Sequence, residues 1–266
     1  MYKLLVGTYT KGCPGHHAKE PKGKGIGIVT LNDKLELIDD DWNNQGGENP
    51  SALTQKGNNI YAACEQLPIF SEDDVLENIK FNTGRIDHFQ IENGKLVLIS
   101  KLENIGDFPC KIVNFELASK HFIACANYGY VANGGGEVTV HKLNNLYKKY
   151  DLQKSNFYQN IDDHEKLLGV HPERQECAHV HDVIVEEDSL FFTDLGCDSV
   201  CWYVWDDIKF VLKKQYRLQP GTGPRHVRKH NNKLYVVCEL INVINVIDLE
   251  TDEIQQGVTK HLLRIS

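Results

Sequence analysis

A chain of 266 residues, 41% hydrophobic and 25% charged, has the composition of a globular domain, and no apolar run reaches the roughly 20 residues needed to span a bilayer. Its 29 Lys and Arg against 37 Asp and Glu give a formal charge of −8, which argues against a nucleic-acid partner and requires any anion site to be a local concentration of Arg and His. Eight scattered Cys without a C-x-x-C, and no basic-then-apolar leader over Met1–Thr10, read as a reduced cytoplasmic protein with no membrane partner.

Along the chain, short apolar or alternating runs follow one another: 3–10, 25–31, 60–64, 85–91, 122–125, 137–141, 190–193, 200–205, 234–238 and 243–247. Turn residues separate them and helical periodicity is nearly absent, so the fold class is all-β. The strands repeat. Tyr61, Phe122, Phe191 and Tyr235 align, and three residues after each stand Cys64, Cys125, Asp194 and Cys238. Ten to twelve residues before them stand Ser51, Cys110, His181 and Arg225, three of which directly follow Pro50, Pro109 and Pro224. Leu4–Val6 reads as an earlier copy. A four-stranded unit of roughly 40–50 residues, repeated with loop insertions, predicts a β-propeller. Five blade units are counted, the last incomplete, in a single domain over 1–266.

Hairpin symmetry then gathers residues that are remote in sequence. About the turn at Asn231-Asn232, Arg225 falls beside Glu239; about Asn58, Ser51 falls beside Glu65; about Glu187-Asp188, His181 falls beside Asp194 and Leu195. Because inner strands of all blades run the same way around the axis, these pairs are expected to collect at one mouth of the central channel. Cys64, Cys125 and Cys238 share one repeat position and are expected to be small buried side chains between blades. The polar stretch 144–173 is expected to be an inter-blade insertion, a flap over the mouth by hypothesis. His16-His17 are expected on a solvated loop, and 134–136 in a blade turn.

Several motifs carry a family resemblance: Gly7-Thr8-Tyr9-Thr10, Asn49-Pro50-Ser51, Arg174-Gln175-Glu176 leading into His179-Val180-His181, Asp194-Leu195-Gly196-Cys197-Asp198, Gly221-Thr222-Gly223-Pro224-Arg225-His226 and Cys238-Glu239-Leu240. In order, from residue 5 to about 250, they resemble the seven-bladed propeller lactonases, the family of the bacterial-type 6-phosphogluconolactonase and the fungal carboxymuconate cyclase. The resemblance implies a hydrolase that opens a sugar-acid lactone, acting without metal or other cofactor on a small anionic substrate in carbohydrate metabolism. It places the catalytic residues on His181, Arg225 and Glu239. The family's second Arg, from a later blade, has no counterpart here, and seven blades of this size need roughly 315 residues.

The chemistry suits those residue types. An imidazole titrates near neutrality and serves as general base or acid. A guanidinium grips phosphate, carboxylate or an oxyanion in a planar fork. Glu239 would hold Arg225 or share the proton transfer, while His179, Asp194, Glu65 and His226 are candidates for substrate binding. From the residues alone, an Arg225–Glu239 ion pair with a hydrogen-bonded core His181 reads equally well. His179 and His181, at i and i+2, have a spacing used by zinc sites, yet no third ligand stands at a recognisable distance. Other readings are a carboxymuconate-type cycloisomerase, a metal-dependent propeller lactonase, and a non-catalytic propeller that binds a partner on its face.

Overall fold

The computed structural model describes residues 1–11, 20–65, 84–103, 105–129, 135–143, 150–151 and 169–257. Two-residue turns fold most of this chain into up-and-down antiparallel sheets. Lys56 pairs with Asn59, Leu117 with Lys120, Glu186 with Ser189 and His230 with Lys233, so each inner hairpin reverses across two residues. Each of these turns holds at least one residue with positive φ: Gly57, Ala118 and Ser119, Glu187, and Asn231. Such turns match the right-handed twist of the flanking strands.

Five sheets result, and among the described residues there is no helix. The first has three strands, β1 (Tyr2–Gly7), β2 (Ile26–Leu31) and β3 (Leu37–Asn43). The second runs β4 (Pro50–Lys56), β5 (Asn59–Cys64), β6 (Arg85–Glu92) and β7 (Lys95–Glu103). The third runs β8 (Pro109–Leu117), β9 (Lys120–Asn127), β10 (Glu137–Leu143) and β11 (Tyr150–Asp151). The fourth runs β12 (Val180–Glu186), β13 (Ser189–Asp194), β14 (Ser199–Trp205) and β15 (Phe210–Arg217). The fifth runs β16 (Pro224–His230), β17 (Lys233–Cys238), β18 (Val243–Asp248) and β19 (Ile254–Gly257). Strands β4, β8, β12 and β16 touch in succession, which makes them the inner strands of neighbouring propeller blades. The last blade, expected to be incomplete, is a full four-stranded sheet, β16–β19, and the first sheet has three strands among the described residues.

The core lies between blades. Ile26 and Ile28 of the first sheet pack with Ile60, Ala62 and Phe89 of the second. Ala124, Ala126, Val138 and Val140 of the third meet Val183, Leu190 and Phe192 of the fourth. Phe191 and Val200 of the fourth meet Val227, Leu234 and Val236 of the fifth. Cys64, Cys125 and Cys238 are free thiols with no exposed surface. The aromatic repeat position shows what a neighbouring blade does. Tyr61, Phe122 and Phe191 are 5%, 6% and 0% exposed, whereas Tyr235, with no following sheet among the described residues, is 39% exposed. Most of the polar stretch 144–173, His16-His17 and Gly134 fall outside the described residues. Among the described residues no helix is long and apolar enough to cross a membrane.

Candidate active site

Each inner strand opens with the same irregularity. The pairing register shifts between Pro50 and Ala52, Pro109 and Lys111, Val180 and Asp182, and Pro224 and His226. The residue left out of register is Ser51, Cys110, His181 or Arg225, the four that the sequence repeat aligns. A β-bulge bends its strand and re-aims one side chain, so four successive blades turn one residue each out of the ladder at the same end. In three blades a proline opens the strand, where its missing N–H is tolerated. Before Pro224 stands Gly223 at φ 59°, where an added Cβ would lie 2.5 Å from Leu240 Cγ. The bulges also lock onto one another: the Cys110 thiol lies 3.5 Å from the carbonyls of both Val180 and His181, as a weak donor.

Around these bulges the candidate side chains meet. Arg225 Nη1 donates to Glu239 Oε2 in a close ion pair, and Arg174 Nη2 donates to Glu239 Oε1 at 2.7 Å. Both oxygens of one carboxylate are thus held, each by a different guanidinium. Burial would raise the Glu239 carboxyl, but Arg174 and Arg225 outweigh it and hold the group below the usual glutamate range. His181 is 9% exposed, and its Nδ1 is sealed with no hydrogen-bond partner among the described residues. Burial first, then the charges of Arg225 and His226, lower its pKa to about 3, so the ring is neutral at physiological pH. His226 stands edge-on to it with ring centroids 5.2 Å apart. Tyr128, from the β9–β10 loop, contacts the His181 ring edge-on at 5.9 Å and stacks on His179 at 4.1 Å.

The remaining expected site residues divide. Glu65 is buried, receives the Tyr9 hydroxyl at 2.5 Å, and has its carboxyl pushed up by burial despite that bond and the Arg225 charge. His226 is half-exposed and sits 3.5 Å from Asp182. Asp194 is turned inward instead: its Oδ1 accepts the N–H groups of His179 at 2.9 Å and Cys197 at 3.1 Å, fixing the β13–β14 turn. His179 directly precedes β12, whereas His181 lies within it. Its Nδ1 lies 3.1 Å from the Tyr128 carbonyl and its Nε2 3.1 Å from Glu176.

Glu176, Cys177 and His179 are the described group whose donor atoms could together hold a metal, all lying within 4.8 Å of one another. Both His179 nitrogens already have protein partners, and burial raises the Cys177 thiol to about 12, keeping its proton on. The group therefore fits a hydrogen-bonded brace under Tyr128 better than a ligand set.

Three residues escaped the sequence reading. Arg174 lies in a quoted motif, but its partner is 65 residues away and no periodicity relates them. Tyr128 sits in an irregular loop. Asp182, with no exposed surface, reaches Val227 N–H at 3.0 Å, Arg228 Nη1 at 2.8 Å and Lys111 Nζ at 3.8 Å. Plain strand alternation turns it away from His181, and only the bulge places both residues in the site. A separate cleft of about 490 Å³ opens between the first two sheets, lined by Thr10, Lys24, Trp42, Glu48 and Asp87 among others.

Comparison with known proteins bears on the family and the fold. The family model described as "Lactonase, 7-bladed beta-propeller" matches residues 3–262. An uncharacterised protein of Staphylococcus aureus (strain MSSA476) is 26% identical over 261 residues, covering 95% of this chain and 67% of that protein. A Lactobacillus plantarum protein of solved structure superposes with TM-score 0.71 at 20% identity, over 99% of this chain and 69% of its own. A candidate 6-phosphogluconolactonase from Bacteroides fragilis NCTC 9343 gives TM-score 0.65 at 22% identity, over 98% and 68%. At these identities the solved structures speak for the fold, and the chain spans about two thirds of the length of each of these proteins. With its family match running almost from end to end, the chain belongs to the seven-bladed β-propeller lactonases.

Proposed function

We propose that this protein hydrolyses the lactone ring of an anionic sugar acid, with 6-phosphogluconolactone as the substrate of the reading, and that no metal acts on the reacting atoms. The observation that carries it is a neutral, buried imidazole under the charge of Arg225, one of a guanidinium pair that grips one carboxylate.

Ester hydrolysis needs a water stripped of a proton, a stabilised oxyanion and a protonated leaving group. His181 is neutral, so it can take the proton of a water as that water attacks the carbonyl carbon. Arg225 faces the developing oxyanion. When the ring C–O bond breaks, the imidazolium returns its proton to the departing alkoxide. Glu239 is held ionised by two cations and has no proton to give, so its role is to fix the guanidiniums. Glu65, its carboxyl pushed up by burial, offers with Tyr9 a hydrogen-bonding partner for sugar hydroxyls. Asp182 anchors His226 beside the base.

A base with a pKa near 3 is weak, and the cause suggests a remedy. After burial, the largest depressing influences on His181 are the Arg225 and His226 charges. An anion bound at Arg225 offsets them and raises the basicity of the imidazole, so an anionic substrate helps to assemble its own catalyst.

The test is hydrolysis followed by pH-stat across phosphorylated, carboxylated and neutral lactones, with and without chelator. Turnover of phosphorylated sugar lactones that survives chelation is expected. Turnover of a carboxymuconate with no lactone opening would assign the cycloisomerase reading instead, and no turnover of any lactone would overturn the proposal.

A further inference from the structure

Arg174 is held in place by its own neighbour. Gln175 is 2% exposed; its Nε2 donates to Leu195 O at 2.9 Å, and its Oε1 accepts the N–H of His171 at 3.1 Å. A backbone bond from Gln175 N–H to His171 O at 2.9 Å closes the same turn. This clip pins the loop ahead of β12 to the β13–β14 turn. Arg174 thus reaches the mouth from a rigid base, with the Tyr128 phenol and Glu239 raising its basicity against the effect of burial.

The pair has more cationic donors than its carboxylate uses. A guanidinium carries five N–H donors in a fixed fork, and Glu239 takes one bond from Arg174 and one from Arg225. Arg174 also hydrogen-bonds the Tyr128 phenol, and the side chains of Arg174, Glu239 and Arg225 are 32%, 27% and 37% exposed, so part of the two forks remains accessible to a ligand. Two cations against one carboxylate leave a positive excess in a chain of net charge −8. Without Glu239, two neighbouring guanidiniums would repel; with it, they stand side by side before a ligand arrives, and their arrangement costs little at the moment of binding.

We infer that Arg174, set beside the catalytic Arg225 by Glu239 as a built-in spacer, forms a phosphate subsite next to the reacting centre and selects a phosphorylated over an unphosphorylated sugar acid. A phosphate carries charge opposite to that excess and presents three charged oxygens to the guanidinium fork, where a hydroxyl at the same place presents one neutral oxygen. This inference rests on the lactonase reading for its substrate, but binding of the ring-opened product tests it without turnover.

Calorimetric titration with 6-phosphogluconate and with gluconate is the experiment. The native protein is expected to bind 6-phosphogluconate at least about tenfold more tightly, the scale of one good charged contact. Arg174→Gln is expected to bring the two affinities together, and Arg174→Lys, which keeps the charge but loses the fork, to restore the preference in part. In kinetics on the phosphorylated lactone, Arg174→Gln should act more on KM than on kcat, a split that mere loosening of the fold would not give. Thermal melts of both variants show whether the fold is kept. Equal binding of both acids by the native protein, or unchanged phosphate preference in a folded Arg174→Gln, would overturn the inference. Phosphate-selective binding without lactone turnover would leave the subsite standing and remove the hydrolase reading.

Discussion

Arg174 and Glu239 meet through a 2.7 Å hydrogen bond from Nη2 to Oε1, although 65 residues of chain separate them. That contact joins the loop that enters the fourth sheet to the end of β17 in the fifth, and Arg225 completes it from the other carboxylate oxygen. Replacing Glu239 by Gln keeps the shape but leaves two guanidiniums facing a neutral amide. Steady-state kinetics are expected to show kcat/KM for the phosphorylated lactone falling roughly 10–100-fold, the scale of a charge-assisted hydrogen bond. An unchanged kcat/KM would remove Glu239 from the site.

Acid should unfold this protein partly through His181. In the native state its pKa is lowered to about 3; in the unfolded chain it returns to roughly 6.5. Between these values the unfolded state binds a proton that the native state refuses, so stability falls as pH drops through that window and is restored above it. The contribution is on the order of 5 kcal/mol. Urea unfolding at neutral and mildly acidic pH should show a shallower loss for His181→Gln than for the native protein. Parallel losses would mean that the imidazole titrates freely.

Asp182 makes the opposite kind of contribution. Burial would raise its carboxyl, but bonds from His226 and the Val227 N–H, with Lys111 and Arg228, hold it low. Its stabilisation is present above the ordinary aspartate range and lost as pH falls through the lowered value. Asp182→Asn is expected to cost about 1–3 kcal/mol at neutral pH, seen as a fall of several degrees in Tm, and the difference should shrink in acid. A variant as stable as the native protein at pH 7 would show that the surrounding cations need no counter-charge.

The blade faces differ in a way that substitution can read. Phe191 is sealed between the fourth and fifth sheets, and Phe191→Ala is expected to cost about 3–5 kcal/mol. Tyr235 holds the same repeat position on the exposed face of the fifth sheet, where Tyr235→Ser should cost under about 1 kcal/mol. Chemical denaturation measures both effects. Equal costs at both positions would mean that the fifth sheet is as covered as the fourth.

Much of this fold was legible because a propeller writes the same sentence several times. The Tyr61, Phe122, Phe191 and Tyr235 repeat marked β5, β9, β13 and β17, and two-residue turns made hairpin partners countable. Hairpin symmetry brought Arg225 to Glu239, yet the ladder sets Pro224, not Arg225, opposite Cys238, and the bulge closes the gap. The same counting brought Asp194 beside His181, opposite Val180, yet proximity in a ladder does not tell a ligand-facing carboxylate from one that accepts backbone N–H groups. Arg174 and Tyr128 were out of reach, since loops that meet across blades leave no period in the sequence.

The most direct test of the account is kcat/KM for 6-phosphogluconolactone in the native protein, His181→Ala and Arg225→Ala, each checked for native folding by circular dichroism. Loss of the base is expected to lower the value by about 10²–10⁴, and loss of the guanidinium by about 10²–10³. Native-level hydrolysis in either folded variant would contradict the assignment of the chemistry to this channel mouth.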